Sequence, residues 1–516
     1  MLSIRPFLVI AAMACCWAPL VRAQGKDDAP KKKPKFTVGK DTTYVTGPIG
    51  KDGSIDYVAA LNDKLREGVT PDNNANVLLW KAFGPHPDGP KLPAGFFGAL
   101  GMPIPSEKGD YFVSVPSFTA DKEAAGKLND ELDAATTRAW TAKDHPGVAQ
   151  WLKANEKPLA TVLEATKRTH YYRPTDGLLI ASLYPGVQQC RYVTAALVAR
   201  AMLHLGEGRG DAAWQDLLAC HRLGRLVARG DTLIDALVGV AIDQVAASAD
   251  LALIERGKLD SKRLQGCLRD LRALPGLPLM ADKVDFGERF VFLQIAMFVA
   301  FHGVGILEPS ADGIGALPRA RTEDVDWDPA LRNGNHYFTR LSTAMRGRDR
   351  ALREKQLDEI QTELKTIKAK LVKPEEFRRT LAGAKNPAEA KGKYFGDILI
   401  TEMIPSVRKP QQAADRSEQT ERNLHLAFAL AAYKNDEARY PLKLDALAPK
   451  YLAAIPNDLF SGKALIYRPA EDGYLLYSVG VNGKDDGGRG PDDPRSDDLV
   501  VRMPSRKMGE KKKNPD

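Results

Sequence analysis

Six aspartates and five glycines crowd into YSVGVNGKDDGGRGPDDPRSDDLVV, residues 477–501. Carboxylates held this close repel one another unless a cation lies among them, and glycines let the backbone turn its carbonyls inward. Calcium, which takes about six to eight hard oxygens in adaptable geometry, is the ion such a loop suits. A solvated acidic turn is the competing reading. The spacing is not that of an EF-hand, which requires D-x-[DN]-x-[DN]-G-x5-E.

Three other groupings carry reactive side chains. Cys220 and His221 adjoin on a helical stretch, with Cys190 and His204 upstream. Their spacing has neither the CxxC nor the paired-His pattern of a metal site. Neighbours on a helix point about 100° apart, so one of Cys220 and His221 is expected in the core and the other at its rim. HYYRPTDG gathers His170, Tyr171, Tyr172, Arg173 and Asp176 at a helix end, which reads either as the wall of a carbohydrate or peptide groove or as a capped terminus. DFGERF places Glu288 beside Arg289; a buried Glu288 would serve as a general acid, and a helix-start ion pair is the simpler account. HExxH, GxSxG, the Walker loop and GxGxxG are absent, and the glycines of GEGRGD join two helices rather than cradle phosphate.

The elements that must position these groups are mostly helical. Apolar spacing predicts a helix over 56–67 and a second begun by Thr70-Pro71 with Val77, Leu78 and Trp80 inward. Residues 120–170 read as two polar-faced helices. Three long helices follow from 187 to 257, the second capped by Asp211 and the third starting at Asp231, each closing at glycine. The apolar run 289–307 contains Gln294 and His302 and reads as a core helix rather than a membrane span. Residues 328–371 read as one long charged helix. From Ser417 the pattern becomes helix, short helix after Tyr440-Pro441, then strands at 464–468 and 474–478. The fold class is therefore mainly α, a multi-helix antiparallel array with a small α+β C-terminal domain.

Residues 417–501 resemble the globular head of the major pseudopilin of type II secretion. The resemblance rests on the helix ending AAYKNDEARYP, then LDALAPKYLAAIPND, the strand entering YSVGVNGKDDGG, and DDLV. It implies a last loop that binds calcium, with Asn482, Asp485 and Asp498 as side-chain ligands and Asp497 behind them. The family has aspartate where this chain has Asn482, and its membrane-embedded polymerising helix has no counterpart here, so pilus assembly is not implied. Upstream, TYVTGPIGKDGSIDYVAALNDKLREGVTPDNNANVLLWKAFGP and RAMLHLGEGRGDAAWQDLLACHRLGRLVARG are similar to segments of large secreted proteins of planctomycete bacteria. That resemblance implies a compartment and an architecture, not an activity.

The remaining signals concern compartment. Arg5, the run FLVIAAMACCWAPL and Val21-Arg22-Ala23 make an export signal, residues 1–23, with cleavage after Ala23. No transmembrane span is expected after cleavage, and the destination is periplasmic or extracellular. Such a compartment is oxidising, yet only Cys190, Cys220 and Cys267 follow the signal, too few for a disulfide framework. The formal charge of +8 resides in a Lys/Pro linker, 24–40, and a basic tail, 502–516, both expected to be disordered. The body, 41–410, and the C-terminal domain, 411–501, are together slightly acidic, which disfavours nucleic acid as partner. The expected role is a non-catalytic structural or interaction protein of the cell envelope, bound to an envelope protein or polymer, with a calcium-stabilised C-terminal domain. A hydrolase with its site in the helical body is the alternative.

Overall fold

The computed structural model describes residues 34–505 apart from 88–91, 93–94, 178, 180–185, 304–323, 372–376, 378, 380, 405–406 and 491–492. The expected signal, 1–23, most of the Lys/Pro linker and the basic tail beyond Ser505 lie outside the described residues. The chain is mainly helical. It opens with α1 (Tyr57–Arg66) and α2 (Ala75–Phe83), then α3 (Lys122–Ala135), α4 (Pro146–Ala154) and α5 (Glu156–Ala165). Next come α6 (Val187–Gly206), α7 (Gly210–Val227), α8 (Leu233–Arg256) and α9 (Ser261–Arg272). A short π-helical segment, Lys283–Glu288, leads into α10 (Arg289–His302). Then follow α11 (Asp328–Arg346), α12 (Arg350–Leu371), α13 (Pro387–Met403) and α14 (Arg408–Glu437). A three-stranded antiparallel sheet closes the fold: β1 (Ile466–Pro469), β2 (Tyr474–Ser478) and β3 (Leu499–Met503), in that spatial order.

Local chemistry sets several boundaries differently from the sequence expectations. Asn74, not Thr70, caps α2, accepting from the Asn76 N–H, because Thr70 is spent in a turn with Asn73. The 120–170 region holds three helices rather than two, broken before Pro146 and at Asn155. The segment 328–371 is two helices; α11 stops at Gly347 and Asp349 receives the Leu352 N–H to begin α12. Arg209 precedes α7 without a side-chain cap, so Asp211 is inside the first turn. Thr232 caps α8 in a reciprocal capping box with Asp235, which releases Asp231 for another partner.

Helix α8 is the hub. It packs on α6, α7, α14 and the π-helical segment. An α-helix that is apolar around its whole circumference must be buried on all sides, and α8 supplies Val238 and Ile242 to one core cluster and Ala236 and Val240 to another. Among the described residues it is the one helix long and apolar enough to cross a membrane. Here Asp235, Asp243 and Asp250 on it are buried among neighbouring helices. Its crossing with α7 is glycine-lined: a methyl at Gly239 would lie 2.4 Å from the Gly224 carbonyl oxygen, closer than any side chain tolerates.

The C-terminal sheet is not set apart from the helices. Leu424–Ala432 of α14 and Leu476, Val501 and Met503 of the sheet belong to the same apolar cluster as α6, α7, α8 and α9. Alternation in β3 continues through Arg502 and Met503, which pair with Leu475 and Tyr474, so these two residues are strand rather than tail. At the other terminus the linker is anchored from Lys35, whose carbonyl accepts the Trp327 N–H at 2.9 Å and whose ammonium meets Asp326 at 2.7 Å.

Candidate functional site

The acidic loop joins β2 to β3, and its two ends nearly touch: a methyl at Gly480 would lie 2.0 Å from the Asp497 carbonyl oxygen. Asp498 is buried, 2% exposed, and accepts the Gly488 N–H at 2.7 Å and the Asp486 N–H at 3.4 Å. Burial raises its pKa against those hydrogen bonds, and the like charges of Asp486 and Asp485 add to the rise. Asp485 accepts the Tyr477 hydroxyl at 2.9 Å and the Gly487 N–H at 2.8 Å. Asp486 receives the Asp497 N–H at 3.0 Å and the Asn482 amide at 3.1 Å.

The four sequence-predicted ligands thus share one loop with different occupations. Asp485 and Asp498 have the oxygen chemistry and mutual repulsion that a hard cation relieves. Asp497 is paired with Arg416 of α14 and accepts the Asn482 N–H, while the Asn482 side-chain oxygen takes the Lys484 N–H at 2.8 Å. Among the described residues no group of three or more His, Cys, Asp or Glu side chains is arranged to hold a metal ion. Of the four, Asp497 is the one with an arginine against it. Asp458 escaped the sequence reading. It is buried and accepts Ser478 Oγ at 2.9 Å and the Val479 N–H at 3.1 Å, fixing the loop's entry from 20 residues upstream.

The helical body holds two buried ionic networks. In one, Arg173 lies 2.8 Å from Asp231 and 2.9 Å from Asp235, and Thr175 donates to Asp231 at 3.0 Å. Burial opposes ionisation of Asp231, but Arg173 together with the hydrogen bonds from Asp235 and Thr175 holds the pKa low; burial and then the Asp231 charge push Asp235 up. Tyr171 and Tyr172 are buried alongside. Tyr171, Tyr172 and Arg173 of HYYRPTDG are therefore a core joint, their side chains facing inward, and of the cluster it is Asp176 that borders a cleft.

In the other network His221 is clamped between carboxylates. Nδ1 is 2.8 Å from Asp243 and Nε2 is 2.9 Å from Asp250. Both ring nitrogens then act as donors, so the ring is an imidazolium. Burial disfavours that charge, yet Asp250 and Asp243 outweigh it and push His221 up to about 10. Cys220 is as buried as His221, so the expected division between core and rim fails: the carboxylates on α8 satisfy the ring where a rim would have supplied water. Cys190, Cys220 and Cys267 are all buried, and burial raises the Cys220 and Cys267 thiols, Cys267 to about 12, far from thiolate reactivity.

Glu288 and Arg289 do not pair. Arg289 goes to Asp285 and also donates to Asn335 and Thr339 at 3.2 and 3.1 Å. Glu288 is half-buried and accepts only a long 3.4 Å bond from the Leu233 N–H. Burial, with repulsion from Asp231, pushes it up to about 7. His170 lies elsewhere, its Nδ1 against Thr169 Oγ1, so the two do not form an acid–base pair.

One open cleft of about 570 Å³ lies between the 50–58 loop and the end of α10, with Asp176, Met297, Phe298, Phe301 and His302 at its walls. Its volume is within the range of ligand sites. Asp52 there turns back onto the Ser54 N–H and hydroxyl at 2.9 and 2.7 Å, and Asp56 caps α1 through the Ala59 N–H. Both carboxylates thus serve their own backbone. No family model matches the chain, and comparison with curated proteins and with solved structures finds no match.

Proposed function

We propose that the protein is an exported, non-catalytic structural or interaction protein of the cell envelope whose C-terminal module is rigidified by calcium. The observation that carries the reading is Asp498, a buried carboxylate facing Asp485 and Asp486 in a glycine-rich loop. The order of long helix, short 3-10 turn at Leu444–Leu447 and small sheet is in keeping with the pseudopilin-like head. A non-catalytic role is supported by where the reactive side chains go: Arg173, Asp231, Asp235, His221, Asp243 and Asp250 all join helices to one another. The hydrolase alternative draws on one feature, the cleft in which Asp52 lies near His302.

Melting of the full-length mature protein in millimolar calcium and in chelator tests the proposal. A ligand at about 100 times its dissociation constant stabilises by about 2.7 kcal/mol. The melting temperature is expected to rise with calcium, and Asp498→Asn is expected to abolish the rise. An identical melting temperature with calcium and with chelator would discard the calcium proposal.

A further inference from the structure

Helix α14 carries the C-terminal sheet and lies on α7, α8 and α9 through a polar seam. His425 occupies that seam. Arg225 and His221 face it from α7, Asp243 from α8 and Arg272 from α9, and Glu421 lies one turn back on its own helix. Arg225 reaches Glu421 at 3.2 Å and donates to the Pro275 carbonyl at 2.8 Å, and Asp243 is taken by His221. The anions of the seam are therefore already engaged by cations. His425 Nε2 is 3.9 Å from Glu421 and makes no hydrogen bond to the protein. The ring borders a void of about 10 Å³ shared with Ser417 and Thr420, space for about one water.

We propose that His425 is an acid sensor at the docking seam of α14: its protonation adds a cation beside Arg225, Arg272 and His221 and loosens α14, with the sheet it carries, from α7, α8 and α9. The proton comes from solvent and no bond is made or broken.

Burial, then Arg272, Arg225 and His221, hold His425 down to about 4, against about 6.5 in an unfolded chain. A histidine whose native pKa is depressed binds protons more weakly when docked. Its contribution is complete above pH 6.5 and is lost as pH falls through 4. The undocked state gains on the docked one by about 30-fold at pH 5 and by roughly 300-fold at full protonation. Glu421, raised by burial, works in the opposite direction on acidification, and Asp243, lowered by His221 against burial, works in the same direction. The informative quantity is therefore the difference between parent and variant profiles.

Hydrogen exchange of the full-length protein from pH 7 to 4.5, read on peptides from 419–432 and from α3–α5, measures the effect. The parent is expected to lose protection over 419–432, about 30-fold more at pH 5 than His425→Gln, while α3–α5 stay protected. Arg272→Gln, at an exposed position, removes one of the opposing cations and is expected to shrink the acid effect even if His425→Gln does not fold. Parallel pH profiles for the parent and either variant would overturn the proposal. So would an acid response that begins equally in α3–α5.

Discussion

Replacing His221 with leucine is expected to be among the most damaging changes available in the helical body. The imidazolium satisfies two buried carboxylates at 2.8 and 2.9 Å. Raising its pKa from 6.5 to about 10 corresponds to about 5 kcal/mol at 1.36 kcal/mol per unit, an upper bound of order-of-magnitude quality. Removing one partner of a buried ion group costs about 3–5 kcal/mol. Asp243 keeps Arg225 at 3.6 Å, which argues for the lower end, about 3 kcal/mol. The slowest-exchanging amides of α7 and α8 should then lose roughly 100-fold protection. Leucine at both positions of the His221–Asp250 pair removes one carboxylate along with the ring, leaving Asp243 to Arg225, and should recover part of that loss, since a buried carboxylate no longer lacks its cation. The parent's stabilisation from this ring is complete below pH 6.5 and is lost as pH rises through 10. A single variant within about 1 kcal/mol of the parent, or a double variant no better than the single, would refute the reasoning.

Two further changes test other parts of the packing. Glu288 has a native pKa raised to about 7, so its charged form costs stability as pH rises from about 4.5 through 7. Glu288→Gln keeps an acceptor for the Leu233 N–H and should raise the melting temperature at pH 8, by the equivalent of about 2–3 kcal/mol, while leaving pH 4 unchanged. A methyl at Gly392 of α13 would stand 1.7 Å from the Asp326 carbonyl oxygen. Gly392→Ala should therefore lower the melting temperature by the equivalent of about 1–3 kcal/mol. Gly266→Ala in α9, where the nearest atoms are arginine tips at 3.7 Å, should raise it by about 0.5–1 kcal/mol.

How much of this was legible beforehand follows from which interactions are local. The helices announce themselves by apolar period and by closing glycines, and the strand pair around PAEDG by alternation. The antiparallel pairing of Ile466 with Tyr477 needs only that alternation and a short turn. The ion networks were illegible because their members are far apart in sequence. Arg173 meets Asp231 across 58 residues and His221 meets Asp250 across 29, and no spacing rule links them. His221 looked like one half of a core–rim pair because a helical wheel cannot know that the facing helix supplies acids. Asp231 marks the start of the third helix in the sequence but does not cap it: Arg173 takes its carboxylate, and Thr232 does the capping. In the acidic loop the sequence located the cluster but could not apportion it. Arg416 lies 81 positions from Asp497, yet it decides which aspartate is neutralised.

Buried titrating groups are often taken as signs of catalysis, since active sites shift pKa values by burial and by charged neighbours. The same shifts arise wherever long helices are joined by ionic seams, and the two cases differ in access. A catalytic histidine needs one ring nitrogen available to substrate. His221 has both nitrogens committed at hydrogen-bonding distance and 2% exposure. Arg173 is equally enclosed at 3%. These charges join α7, α8, α14 and the segment after α5 to one another. They add a polar constraint to the steric one that the glycine-lined crossing of α7 and α8 imposes. The His221–Asp250 pair is made with α7 and α8 crossing at Gly224 and Gly239. Charge of this kind contributes little net stability but makes every alternative crossing costly, because each would leave a buried carboxylate without its cation.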